Sequence, residues 1–416
     1  MNKLKYITSI CFFLLFLTGM NAQQNTTIIM NGTIHVGNGE VIENGVLVIE
    51  QGKIVQVGKT LSSLYKTAKV IDAKNKHVYP GLIAMNNIMG LNEIDAVRAT
   101  HDYSEDGSMN PNVRSLIAFN TDSKILPTAL FNGVLFTQPI PLGGTISGSS
   151  SLMKTKGWNW EDAVMKADEG IHLNWPIVEN NKPEEENRGE KGIEEINNFF
   201  AEAYQYLQQS KPIFNARLSA MAGVFSGEKN LYVHANEAKS IVRAITFFKQ
   251  KYPAIKLILV GAQEAYLVSE IIKSNKVPVV LGNIHRLPAH NADGIDQPYQ
   301  TPGQLAKLGI IFALSQEGSW EVRNLAYLAG TAAAYGLNKE EALKAITLTP
   351  AKIMGVDQQI GSIEIGKDAS IIISEGDLLD MKSSSIYMVF LSGEALDLKN
   401  EQVLLYEKYL KKYKID

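Results

Sequence analysis

The middle of the chain repeats one pattern, in which a short apolar run is followed by a segment with helical spacing of apolar residues. The runs are NLYVHAN, KLILVG, VPVVLGN and IIFALS, and the first two precede EAKSIVRAITFFKQKY and AQEAYLVSEIIKSN. Apolar strands without polar alternation are typical of a parallel sheet covered by helices. Repeated over roughly 275 residues, the pattern predicts a (β/α)8 barrel of the TIM type. An open doubly wound sheet is disfavoured, because no glycine fingerprint follows the first unit.

Both ends of the chain are patterned as short strands instead. TTIIMNGTIHVG and GVLVIEQGKIVQVG are rich in β-branched residues and are interrupted by Asn-Gly and Gln-Gly turn signals. GSIEIGKDASIIISEGD and IYMVFLSGEAL repeat the pattern near the C-terminus. We therefore expect a small composite β-sandwich from residues 23–79 and 356–400. It accompanies a barrel over residues 80–355 and a C-terminal helix over residues 401–416.

Three polar stretches of the barrel region are expected to be loops. PLGGTISGSSSLMK is rich in glycine and serine but lacks the Gly-Lys-Ser/Thr of a phosphate-binding loop. NKPEEENRGEKG, residues 181–192, has the composition of an exposed loop. NIHRLPAHNADGIDQPY holds two histidines, but it lacks any established ligand spacing. It fits a polar loop over the barrel mouth better than a metal site.

The first 22 residues predict a secretory signal peptide. Lys3 and Lys5 precede the apolar run ITSICFFLLFLTG, and MNA places Ala22 before the cleavage site. The run is short for a stable membrane span, so an uncleaved anchor is the weaker alternative. We expect an exported protein, periplasmic or secreted. Cys11 is the only cysteine, so the mature chain would lack disulfides and depend on its core for stability.

The composition of the chain argues against a nucleic-acid partner. The chain has 416 residues, of which 45% are hydrophobic and 20% charged, and its formal net charge is −3. These values are ordinary for a globular protein with a large core. The sequence contains no clustered run of lysine and arginine, so no nucleic-acid partner is expected.

Chemistry in a parallel barrel is expected at the carboxyl ends of the strands. The residues of this chain that fall there are Asn86–Ile88, His172, His234–Asn236, Gly261, Asn283–His285 and Ser315–Glu317. His172, His234 and Glu317 carry side chains of the kind that usually hold a catalytic metal.

Three stretches resemble a known family: VYPGLIAMNNIMGL, LYVHANEA and EEALKAITLTPAKIMGVDQQIGSIEIGKDASIII. Together they resemble the amidohydrolase superfamily, in its secreted imidazolonepropionase-like branch. The order Thr-Pro-Ala, Gly-Ser-Ile and Gly-Lys-Asp-Ala is the most specific part, and the resemblance covers nearly the whole mature chain. It implies a metal-dependent barrel that cleaves C–N bonds, often in cyclic amides, amidines or dipeptides.

The resemblance also implies a set of metal ligands, from which this chain departs. The family's ligand positions on strands one, four, five, six and eight hold Asn86 with Ile88, His172, His234, Gly261, and Gln316 or its neighbour Glu317. A neutral amide is a poor zinc ligand, and isoleucine has no donor atom. A mononuclear zinc or manganese site built from His172, His234 and Glu317 is the remodelled alternative. No catalytic residue is assigned.

The sequence therefore favours an amidohydrolase-family protein that has lost most of its usual metal ligands and needs no cofactor. It would be a non-catalytic partner, or a barrel that binds a small-molecule or peptide-like ligand at its mouth. The alternative is a hydrolase that acts on non-peptide C–N bonds through the remodelled metal site. As a partner, the chain would assemble with a metal-bearing family relative. A homo- or hetero-oligomer is expected in either case.

Overall fold

The computed structural model describes residues 26–62, 65, 67–177 and 183–414, and their strands form two sheets. In chain order the strands are β1 (Thr27–His35), β2 (Val41–Glu50), β3 (Lys53–Gly58), β4 (Lys69–Asp72), β5 (His77–Pro80), β6 (Leu82–Asn87), β7 (Val134–Pro139), β8 (Ile146–Lys154), β9 (Val164–Asn174), β10 (Asn230–Ala235), β11 (Lys256–Gly261), β12 (Val279–Leu281), β13 (Phe312–Leu314), β14 (Ile371–Ser374), β15 (Ile386–Leu391) and β16 (Glu394–Ala395). The predicted signal peptide lies outside the described residues.

Strands β6 to β13 lie side by side in chain order and form a nearly closed barrel. Two consecutive residues bridge the seam between its first and last strands. The carbonyl of Ile346 accepts a hydrogen bond from the amide of Ile83 in β6, at 2.9 Å. The carbonyl of Ala345 accepts one from the amide of Leu314 in β13, also at 2.9 Å. The predicted eight-stranded barrel is confirmed.

Strand β8 runs antiparallel to both of its neighbours, whereas the other neighbouring pairs of the barrel are parallel. It contains the sequence ISGSSSLMK, so the prediction of a loop there was wrong. Ser149 pairs with Ile171 of β9. The pairing with β9 makes this segment a strand, whereas its own serine- and glycine-rich composition resembles that of a loop. As a result, Ser150 lies within a barrel strand.

The second sheet joins the two ends of the chain. Its order is β16-β15-β14-β5-β1-β2-β3, and β4 also pairs with β1. Strand β5 pairs antiparallel with β14, so that Val78 lies opposite Ile373. Ile29, Leu47 and Phe390 are buried together in the core of this unit. A β-domain composed of both chain ends therefore accompanies the barrel, as predicted.

In chain order the helices are α1 (Ser115–Ala118), α2 (Ile125–Phe131), α3 (Trp160–Ala163), α4 (Pro183–Leu207), α5 (Ala216–Ala220), α6 (Ala222–Phe225), α7 (Ala238–Lys251), α8 (Ser269–Ser274), α9 (Gln297–Lys307), α10 (Leu325–Ala334), α11 (Lys339–Lys344), α12 (Leu348–Met354) and α13 (Glu401–Tyr413). Three short 3-10 helices are Arg98–Thr100, Ala265–Val268 and Glu321–Asn324. Within the described residues, no helix combines the length and hydrophobicity needed to cross a membrane.

Helix α4 corrects the second loop prediction, because it includes most of residues 181–192. Pro183 is its first residue, where the missing N–H of proline has no helical partner to lose. The polar composition of this stretch belongs to a helix of 25 residues rather than to a loop.

Successive side chains of β10 belong alternately to two different hydrophobic clusters, one between the strands and the helices and one inside the barrel. Leu231 and Val233 belong to the cluster that includes Phe248 of α7. Tyr232 belongs to a different cluster, with Ile258 of β11. Since side chains alternate between the faces of a strand, Tyr232 and His234 face the barrel interior. The sequence position of His234 therefore places its ring on the axis side of the mouth.

Candidate functional site

The carboxyl ends of β9 and β10 bring two of the predicted residues into contact. His172 Nδ1 lies 2.9 Å from His234 Nε2, so the two imidazoles share a hydrogen bond. His172 is buried and stacks on Tyr232, with ring centroids 4.7 Å apart. Its other nitrogen, Nε2, lies 2.9 Å from Ser150 Oγ. Both ring nitrogens of His172 are therefore engaged in hydrogen bonds inside the barrel.

Deeper in the barrel, Glu169 is the centre of a buried polar network. Its Oε1 accepts hydrogen bonds from Ser150 Oγ at 2.6 Å and from Gln138 Nε2 at 2.5 Å. Its Oε2 accepts one from Tyr232 OH at 2.8 Å. Glu169 is 2% exposed, so these three donors take the place of water around its carboxyl group.

Asn230 extends the network toward the amino end of β10. Its Nδ2 donates to Tyr232 OH at 3.1 Å and to the carbonyl of Ile353 at 2.8 Å. A continuous hydrogen-bonded chain thus runs through the barrel from Asn230, by way of Glu169, to the histidines at the mouth.

The donors around Glu169 set the direction of this chain. Ser150 donates its hydroxyl hydrogen bond to Glu169 Oε1, so Ser150 Oγ accepts from His172 Nε2. A neutral His172 then has a lone pair on Nδ1, which accepts from His234 Nε2. His234 Nδ1 is left with a lone pair. It lines the mouth and is bonded to none of the described residues.

Burial controls the charges of the network. Desolvation lowers the pKa of His172 well below its ordinary value, and the neighbouring His234 lowers it further. Desolvation also lowers the pKa of His234 to about 4, so both rings are neutral at neutral pH. The pKa of Glu169 is raised by desolvation, which outweighs the hydrogen bonds from Ser150 and Gln138 that lower it.

Two side-chain amides at the mouth lack partners. Asn86 Oδ1 and Gln316 Oε1 are buried and accept no hydrogen bond from the described residues. The φ of Asn86 is 55°, a left-handed value that asparagine tolerates better than most residues. Ile88, two residues on, donates its backbone N–H to the carbonyl of Gly318 at 3.0 Å. Unpaired buried oxygens suit a ligand that brings hydrogen-bond donors.

Gly261 ends β11 in a left-handed conformation, with φ of 81°. A Cβ at this position would lie 2.2 Å from Asn236 Oδ1, closer than any normal contact. Glycine at the family's ligand position on the sixth barrel strand therefore leaves space for the side chain of Asn236.

Glu317 follows β13 and is exposed at the mouth. Partial desolvation raises the pKa of its carboxyl group. Across the described ranges, no group of three or more His, Cys, Asp or Glu side chains is close enough to hold a metal. The structure thus brings His172 and His234 together, and it does not add Glu317 to them as a third donor.

A cleft of about 800 Å³ opens beside His234. Residues from the ends of β9 and β10 and from the start of α7 line it, together with Glu264 and His290. Trp175 in its wall is 5% exposed, and its indole N–H has no acceptor among the described residues. A volume of this order suits a small-molecule ligand.

The loop with His285 and His290 spreads its polar groups over separate partners. His290 Nε2 lies 2.8 Å from Glu264 Oε1, whereas His285 Nε2 lies 2.8 Å from Thr331 Oγ1. Tyr266 donates to Asp293 at 2.8 Å. The interpretation of this stretch as a polar loop beside the mouth agrees with these contacts.

The donors at the mouth do not fit the metal centre that the resemblance implies. His172 has no free nitrogen, and Ile88 and Gly261 have no donor atom. Asn86 and Gln316 offer neutral amides, which are weak ligands for zinc. His234 offers one nitrogen, whereas a catalytic zinc usually takes three protein ligands.

The comparison with family models decides the identity of this fold. The model of the amidohydrolase family matches residues 172–396, more than half of the chain. The chain belongs to the amidohydrolase family. No curated protein sequence matches this family member. Its placement in the imidazolonepropionase-like branch stays a prediction.

Several solved structures share the fold. An amidohydrolase from Thermotoga maritima MSB8 is 23% identical, with a TM-score of 0.77 over 89% of this chain and 99% of that one. A prolidase complexed with N-methylphosphonate-L-proline is 16% identical, with a TM-score of 0.56 over 90% and 100% of the two chains. The A. niger ochratoxinase is 16% identical, with a TM-score of 0.56 over 91% and 99%.

Sequence reasoning identified the two histidines but missed the buried polar network to which they are connected. Ser150, Gln138, Tyr232 and Glu169 each stand inside strands that are otherwise apolar or buried. A polar residue within a buried strand must find a partner, and this signal was available. Which of these residues contact one another depends on how the barrel strands are arranged, and in particular on the antiparallel orientation of β8.

Proposed function

We propose that this amidohydrolase-family protein binds a small amide- or peptide-like ligand at the barrel mouth and does not carry out metal-dependent hydrolysis. The observation that carries the proposal is the full engagement of His172. A metal could use this residue only by breaking its 2.9 Å hydrogen bond to Ser150 or to His234. Breaking either bond would leave a buried polar group without its partner, which is costly.

The acceptors at the mouth support a ligand that carries N–H donors. His234 presents the lone pair of Nδ1, and the side chains of Asn86 and Gln316 each hold an unpaired oxygen. Amides, amidines and amines supply such donors. The prolidase and ochratoxinase among the structural neighbours support the amide class.

A thermal-shift experiment tests this proposal. The protein is mixed with dipeptides and cyclic amides in the presence of EDTA, and turnover of the same compounds is measured with added zinc or manganese. We expect the Tm to rise with at least one compound and without metal. Ligand at about 100 times its Kd would stabilise the fold by about 2.7 kcal/mol. Metal-dependent turnover that EDTA abolishes would contradict the proposal.

Two histidine variants locate the ligand. His234→Ala removes the acceptor at the mouth and should abolish the ligand-induced rise in Tm. His285→Ala is the matched control, because His285 contacts Thr331 and does not line the cleft. An equal loss of the ligand effect in both variants would place the ligand elsewhere.

The second candidate function is a hydrolase that works through a remodelled mononuclear site. The exposed carboxyl group of Glu317, with its raised pKa, and the free nitrogen of His234 favour it. Such an enzyme would lose turnover on chelation and after Glu317→Gln. Turnover that persists both after chelation and in the Glu317→Gln variant would exclude this candidate.

We also propose that the mature protein is exported and assembles with a metal-bearing relative. The signal-like residues 1–22 and the poor fit of the mouth to metal support this view. Cell fractionation and affinity purification of the tagged protein test the two parts separately. Recovery in the cytoplasm would contradict export, and recovery without any family relative would contradict the assembly.

A further inference from the structure

The end of the barrel opposite the mouth holds a second cleft, of about 470 Å³, which is lined by lysines. It lies where β9, β10 and β11 begin and where α7 and α12 end. Its lysines are Lys166, Lys249, Lys256, Lys276 and Lys352. Glu228 is the one acidic residue in the described lining. This concentration of positive charge stands out in a chain with a formal net charge of −3.

Most of these lysines have no internal counter-ion. Lys166 donates to the carbonyl of Met354 at 2.6 Å. The other four form no ion pair with any described residue. Like charges that share a concave surface raise its potential and attract anions.

Helix ends explain only part of this arrangement. Lys249 and Lys352 lie in the last turns of α7 and α12, where the helix dipole favours a cation. Lys276 follows Asn275, the C-cap of α8, so it also lies at a helix end. Lys256 begins β11, so no helix end explains its position in the cleft.

Apolar side chains form part of the cleft lining. Pro253, Pro278 and Ile353 line it beside the lysines, and the neighbouring Ile255 is 3% exposed. The described part of the lining includes no aromatic ring on which a base could stack. A compact ligand with several charges fits this surface better than a nucleic acid.

We propose that this cleft binds a small organic polyanion that carries two or more phosphate or sulfate groups. Lysine ammonium groups act as flexible point charges, which suits several separated anionic groups. The site lies at the opposite end of the barrel from the mouth, so the inference goes beyond the function proposed above and does not depend on it.

Isothermal titration with tripolyphosphate and with sucrose octasulfate tests the proposal on the full mature chain. We expect saturable binding of at least one probe, weakened by added salt. Lys256→Ala with Lys276→Ala should weaken it by about tenfold or more, since charge-pair partners are lost. Binding of tripolyphosphate alone would identify a phosphorylated ligand, and binding of sucrose octasulfate alone a sulfated one.

The matched control removes two lysines that lie outside the cleft. Lys273→Ala with Lys307→Ala changes the net charge equally at exposed helical positions. This double variant should bind the probe as the unaltered protein does. Equal weakening in both double variants, or no saturable binding of either probe, would overturn the proposal.

Discussion

The imidazoles of His172 and His234 are hydrogen-bonded to each other, with 2.9 Å between Nδ1 of the first and Nε2 of the second. A metal centre would need these residues as separate donors. Here they form one end of a chain that continues through Ser150 to the carboxyl group of Glu169. Hydrogen bonds thus connect the two histidines to the buried polar network inside the barrel.

Replacement of Glu169 tests the centre of the network. Glu169→Ala would leave Gln138, Ser150 and Tyr232 without their acceptor in a buried site. We expect the free energy of unfolding to fall by about 3 kcal/mol or more, measured by urea denaturation. Glu169→Gln retains one acceptor oxygen and should cost less.

The pH dependence of the Glu169→Gln variant follows from the raised pKa of the carboxyl group. A folded pKa above the unfolded value of 4.5 means that Glu169 contributes stability below pH 4.5. That contribution is lost as the pH rises through the folded pKa. The stability of Glu169→Gln relative to the unaltered protein should therefore rise with pH. If the difference in stability between the two proteins did not change with pH, the pKa of Glu169 would not be raised by burial.

The neutral state of His234 predicts the opposite pH dependence. Its folded pKa of about 4 lies below the ordinary value of 6.5, so the unfolded chain binds protons more readily. Stability is fully present above pH 6.5 and is lost as the pH falls toward the folded value. In His234→Ala this acid-side loss should be smaller, as measured by urea unfolding at several pH values. An unchanged profile would show that His234 is not buried as a neutral ring.

Gly261 tests the packing of the mouth. Gly261→Ala would place a Cβ 2.2 Å from Asn236 Oδ1 and would also strain a backbone with φ of 81°. Gly309→Ala is the matched control, since its φ is 72° but a Cβ there meets nothing within 4 Å. We expect Gly261→Ala to lower the Tm more than the control, because only it adds a clash to a strain of about 1–3 kcal/mol. Equal effects would show that Asn236 moves freely.

The sequence predicted the fold well because its signals are local. The apolar runs of β10 and β11 and the amphipathic spacing of α7 each lie within one short segment. The position of β8 was not predictable in this way. Its serines and its single glycine resemble those of a loop, and pairing with β9 makes the segment a strand.

The candidate site was predicted in part for the same reason. His172 and His234 were identified by their places at strand ends. Their mutual hydrogen bond, and the connection through Ser150 to Glu169, depend on three neighbouring strands in register. A single sequence holds no information on that register beyond the pattern of buried and exposed positions.

The most direct test of the account is the metal content of the purified mature protein. Elemental analysis would follow growth with added zinc and manganese, on a sample whose folding is checked by a cooperative thermal transition. The account predicts zinc and manganese far below one equivalent per chain. Near-stoichiometric metal that disappears in the His234→Ala variant would contradict it and would establish the mouth as a working metal centre.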